Sequence, residues 1–135
     1  MTVTQITRIS ASLIFLYHSL IILLFPLLVQ LLNVSIESVT PENLNAVCTL
    51  LSQAYADTFE TIQDIPSWVT IKLIYREPTW PEDESISVMI DKYNFYWNEE
   101  TQKRELRELD TDAEAIREYI LSEASWYEEK YIQAQ

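Results

Sequence analysis

Three consecutive acids, Glu82, Asp83 and Glu84, follow a tryptophan held between prolines in the stretch Pro78-Thr79-Trp80-Pro81. Carboxylates serve as a general acid–base pair when a cleft holds them at a defined separation. Three neighbours on one polar loop offer no such separation. Their better use is steering: clustered charges on a rim accelerate the approach of an oppositely charged surface. Trp80 suits an anchor at the centre of such a contact, because a large aromatic ringed by polar groups carries much of the energy of a protein interface. Its flanking prolines limit the entropy the loop loses on docking. The sequence therefore predicts that Trp80 binds a basic partner and that Glu82, Asp83 and Glu84 guide it.

The other candidate chemistry is weaker. Asp110, Asp112 and Glu114 are spaced like the start of a calcium loop. An EF-hand loop also needs a glycine and a closing bidentate acid over twelve residues, and neither follows. Thr111-Asp112-Ala113-Glu114 reads instead as a helix capping box. Cys48 falls on an apolar helical stripe, and the single histidine, His18, is far from it in a different segment. A nucleophilic cysteine needs a base beside it, so Cys48 reads as a small buried hydrophobe. The chain has no glycine in 135 residues. Phosphate-cradling loops need backbone that glycine permits, so nucleotide sites of that kind are excluded. The residues call for no cofactor and no metal.

Charge sharpens the choice of partner. There are 21 acidic and 9 basic residues, for a net charge of -12. Every acid lies from Glu37 onward, and so do all the basic residues except Arg8. Such a field repels nucleic acid and favours basic protein surfaces.

Residues 13–32 read LIFLYHSLIILLFPLLVQLL, with no charged side chain between Ile9 and Ile36. Twenty helical residues span about 30 Å, the thickness of a bilayer's hydrocarbon core. A membrane-spanning helix is the expectation, with Pro26 bending it and His18 and Gln30 as its intramembrane polar groups, suited to packing on a partner helix. Arg8 before the segment and no basic residue after it until Lys72 favour an inside N-terminus and an outside acidic domain. A cleaved signal peptide and a helix buried in an oligomer are the competing readings.

Beyond the junction NVSIES the elements can be read in order. Thr40 and Pro41 suit the start of a helix over 41–61, with Leu44, Val47, Leu51, Tyr55, Phe59 and Ile62 on one face. Alternation then predicts strands over 69–75 and 86–97, the second broken near Asp91-Lys92 where the apolar parity switches. A turn at 98–102 leads to a third strand over 103–109, for which a helical start is the alternative. The capped helix after Thr111 carries Ala113, Ile116, Ile120, Ala124, Tyr127 and Tyr131 on one face, and most tryptophans are expected in the core. The fold class is α+β: residues 1–36 form a short tail and a single-pass helix, and residues 37–135 form an α-β-β-β-α domain with an antiparallel sheet. That domain is expected to fold alone from about Ser38. The element order resembles that of the double-stranded-RNA-binding domain, a family that uses basic side chains where this chain is acidic.

Two function classes follow. The first is a membrane-tethered module that docks a basic protein or an integral membrane complex. The second is a small enzyme or sensor built from scattered Tyr, Asp and Glu side chains. If residues 13–32 cross a bilayer, the protein sediments with membranes and resists carbonate extraction. Release into the soluble fraction contradicts the anchor, and a mature N-terminus just after Ser35 or Ser38 would identify a signal peptide.

Overall fold

The computed structural model describes residues 6–10 and 33–133 of the chain. The segment 13–32, with His18, Pro26 and Gln30, lies outside the described residues. Among the described residues, no helix is long and apolar enough to cross a membrane.

The main sheet has four strands in spatial order β1 (Ile6–Ser10), β2 (Asn33–Val39), β3 (Ile71–Tyr75) and β4 (Ile86–Ile90). β1, β2 and β3 run parallel, and β4 pairs antiparallel with β3. A parallel pair needs a crossover connection, and between β2 and β3 helix α1 (Leu44–Thr58) supplies it. A two-stranded antiparallel hairpin, β5 (Tyr93–Asn98) and β6 (Lys103–Glu108), follows β4. Helix α2 (Ala113–Tyr127) closes the fold and continues into a single π-turn, Glu128–Ile132.

Three expectations need correction. The junction NVSIES is the strand β2, so the boundary drawn at 36/37 cuts through a strand between two others. Its apolar content is too short and irregular to announce itself. Ile36 is fully buried and registers with Leu73, which registers with Val88. This row of aliphatic side chains crosses the sheet, each contributing about 1.5–3 kcal/mol on burial. Secondly, the expected antiparallel pairing is present, in β3–β4 and β5–β6, but in two sheets rather than one, and β2 adds a parallel neighbour to the first. Thirdly, the long strand over 86–97 is two strands in two different sheets. The buried Asn94 enforces the break: its side chain accepts from the Asp91 amide at 2.9 Å and donates to the Asp91 carbonyl at 2.7 Å.

Helix starts also differ in detail. Thr40 and Pro41 lie in a turn, and Asn43 stands at the N-cap of α1, its side chain bridging the Thr40 amide and the Ser38 carbonyl. For α2 the capping side chain is Asp112, which accepts from the Glu114 amide at 3.2 Å. Without glycine, the left-handed positions fall to Ser38 (φ 65°), at the irregular end of β2, and Gln102 (φ 58°), in the hairpin turn. Each carries a steric cost of about 1–2 kcal/mol.

The core joins α1, α2 and one face of the sheet: Leu44, Val47, Leu51 and Tyr55 of α1 meet Ile116, Ile120 and Ala124 of α2 and Ile71, Leu73 and Ile90 of the strands. The chain leaves the sheet at Ser10 and re-enters the same sheet at Asn33.

A chain beginning at Ser38 should therefore lose cooperative urea unfolding, because it lacks Ile36 and leaves β3 paired on one side only, with β4. A chain beginning at Asn33 should keep it. Equal unfolding midpoints for the two would show that β2 contributes nothing to the core.

Candidate functional site

The acidic loop between β3 and β4 is pinned to the end of α2, and Trp80 is the pin. Of the four tryptophans it is the one that is buried, at 3% exposure. Its indole N–H donates to Glu128 at 2.9 Å, and its carbonyl accepts from the Arg76 guanidinium at 2.8 Å. Its ring lies 6.3 Å from Tyr75, edge-on, and 5.2 Å from Tyr127. The Tyr127 hydroxyl donates to Glu84, and this bond, above all, raises the Tyr127 pKa. The predicted anchor is thus a core residue, and this corrects the expectation that its ring meets a partner. A position between two prolines and three acids looked exposed because the covering residues, Tyr127 and Glu128, are distant in sequence. Glu82 and Asp83 remain exposed on the loop, while Glu84 turns inward to Tyr127. The structure therefore does not assemble Trp80, Glu82, Asp83 and Glu84 into one contact surface.

The exposed apolar side chains are elsewhere. Cross-strand partners share a face of the hairpin, so Tyr93, Phe95 and Trp97 of β5 stand with Leu106 and Arg104 of β6. Phe95 is 53% exposed, Trp97 50% and Leu106 55%. Alternation made this face look like core, but a two-stranded hairpin buries one face at most. The buried side belongs to Asn94 and to Tyr96, whose ring packs 5.1 Å from Tyr119 of α2.

Hairpin and helix enclose a cleft of about 640 Å³. Phe95, Trp97, Glu99 and Arg104 line it from the hairpin, and Ser125, Trp126, Glu129 and Lys130 from α2 and its π-turn. Arg104 bridges the two sides, 3.2 Å from Glu123. Trp126 is 44% exposed and packs edge-on against Tyr131, which stacks on Tyr127 and so on Trp80. A chain of ring contacts, each worth about 0.5–1.5 kcal/mol, therefore runs from the core to the cleft. The π-turn at the end of α2 faces Glu128 to Trp80 and leaves Glu129 at the cleft. A smaller cavity of about 320 Å³ shares Arg104, Glu123 and Trp126 with it and reaches Ser85 and residues 86–88 of β4.

The rings already attract cations. Arg107 lies 4.4 Å from the Tyr96 centroid and Arg104 5.9 Å from Phe95. No intramolecular cation stacks on Trp97 or Trp126 among the contacts of the described residues. Indole is the strongest aromatic platform for a cation.

Among the described residues, the shifted titratable groups do not point to an activated nucleophile. Burial pushes the Cys48 thiol up to about 12, against a smaller opposing pull from Arg117. Burial likewise raises Tyr55, Tyr75 and Tyr119. A raised pKa keeps these groups neutral, the reverse of what activation requires. Among the described residues, no three His, Cys, Asp or Glu side chains cluster to hold a metal, and Asp110 accepts from the Asp112 amide at 3.0 Å. Compared with protein-family models, curated proteins and solved structures, the chain shows no significant match.

Trp80→Ala should cost about 3–5 kcal/mol, the usual range for emptying a buried aromatic site, whereas Trp97→Ala, on the open face, should cost under about 1 kcal/mol. Urea unfolding followed by circular dichroism measures both. Similar losses for the two variants would contradict the assignment of Trp80 to the core.

Proposed function

We propose that the protein is an acidic interaction module that docks a basic protein segment in the cleft between the hairpin and α2. The observation that supports this best is the pair of half-exposed indoles, Trp97 and Trp126, which line one concave site together with the acids Glu99, Glu123 and Glu129 and the cations Arg104 and Lys130. Contiguous exposed apolar surface of this kind marks a binding site. A concave shape suits a segment of protein better than a flat bilayer surface. A lysine or arginine stacked on either indole would reach Glu99 or Glu129, and the overall charge of -12 would raise the rate of encounter. Glu82 and Asp83 add to that field from the loop as steering charges.

Attachment to a membrane through residues 13–32 is part of this proposal, with an integral membrane complex as the natural source of the basic segment. The tether would raise the effective concentration of the docking cleft at the membrane surface.

The proposal is tested with the full chain in nonionic detergent and two ten-residue peptides, one alternating Lys with Val and the other Glu with Val. The Lys peptide should bind, weaken as salt rises, and lose affinity by about 2 kcal/mol on Trp126→Ala, as an interface anchor does. The Glu peptide should not bind. Equal binding of the two peptides, or no effect of Trp126→Ala, would remove the cleft from the account.

A further inference from the structure

β4 is an edge of the main sheet, and its sequence, Ile-Ser-Val-Met-Ile, contains none of the usual protections. Natural edges carry prolines, lysines or bulges that stop another strand from adding. Here there is no charge and no proline, and the register with β3 is unbroken over five pairs. Among the described residues, no strand pairs with its outer side.

The direction of its main-chain groups can be deduced. In an antiparallel pair, alternate residues of an edge strand turn both N–H and C=O away from the neighbour. The Tyr119 hydroxyl donates to the Met89 carbonyl at 3.3 Å, which α2 can reach on the outer side of the strand. A Met89 carbonyl turned outward to meet Tyr119 puts Ser87, two residues earlier, outward as well, and this is the register taken for the proposal below. Ile86, Val88 and Ile90 bond to β3. Tyr119 closes the edge at Met89 and leaves the Ser87 N–H and C=O open. The cavity of about 320 Å³ lies along this stretch, and Trp126, Arg104 and Glu123 join it to the larger cleft.

We propose that the docked segment binds as an added β-strand on β4, extended along residues 85–88 and continuing past Trp126 into the cleft. This rests on the docking function proposed above and adds the conformation of the partner and the bonds that hold it. In strand addition, main-chain hydrogen bonds supply affinity and alternate side chains supply selectivity. Alternation suits this site, because one set of side chains faces the indole of Trp126 while the other faces away. Charge selects the occupant. A second copy would bring another -12 to the edge, so an extended segment carrying lysine or arginine fits and a self-paired β4 does not. Arg104 does not oppose such a segment, since Glu123 already pairs with it.

The test uses the Lys–Val peptide with the full chain in detergent. Two further peptides are N-methylated on alternate residues, one on every Lys and the other on every Val. Strand addition presents one set of amides to β4, so one methylated peptide should lose about tenfold or more in affinity while the other keeps most of it. Ser87→Pro removes the open donor without removing a bond to β3, as prolines on sheet edges do. It should weaken the unmethylated peptide about tenfold, with circular dichroism confirming the fold. If the peptide binds and depends on Trp126 but both methylated forms bind as well as the parent, strand addition is overturned and docking in the cleft stands. If the parent peptide does not bind at all, both fall. Sedimentation of the chain as a dimer that the peptide does not dissociate would replace the partner with a second copy.

Discussion

The placement of α2 is the constraint on which the rest of the domain depends, and Trp80 is the side chain that fixes its far end. The helix touches α1 through Ile116 and Ile120, the sheet edge through the Tyr119 hydroxyl, and the hairpin through Tyr96 and Arg104. Without Trp80, its last turn would rest on Ala124 and the partly buried Tyr127 and Ile132 alone. With Trp80 between Tyr75 and Tyr127 and bonded to Glu128, the turn is held against the sheet. The loop acids complete the arrangement, because Glu84 accepts from Tyr127. A loop that looks designed to meet a partner is used to brace a helix. The surface that remains open is on the other side of that helix.

This division explains the unusual distribution of aromatics. A small domain has one core and cannot enclose every large side chain that alternation places on its strands. The face of the sheet under the helices takes the aliphatic residues and Tyr75. The hairpin, with two strands and one covered face, leaves Phe95, Trp97 and Leu106 half in solvent. Retaining such surface carries a risk of aggregation that the charge of -12 offsets by mutual repulsion. High acidity and exposed aromatics are therefore complementary features, one permitting the other.

Much of the secondary structure was legible in the sequence because it depends on local periodicity. α1, β3, the hairpin turn and α2 lie close to where apolar spacing placed them, and the switch of parity at Asp91-Lys92 marks a real break. β2 was missed because its seven residues, NVSIESV, carry polar groups at alternate places and follow a far stronger apolar run. Its identity comes from pairing with β3, a long-range relation. The site was less legible still. Burial of Trp80 depends on residues nearly fifty positions away, and exposure of Trp97 depends on the lack of a third layer beside the hairpin. What sequence did convey was the net charge of -12, which needs no fold to be read.

The most direct test of an α2 braced by Trp80 beside an open strand edge is residue-resolved amide hydrogen exchange on the free protein. Ile86, Val88 and Ile90 should be protected with the core of the sheet, whereas the Ser87 amide between them should exchange at a rate near that of an unstructured peptide. Ser87 protection equal to that of Val88 would show that β4 is already covered, and the groove would have no free edge to offer.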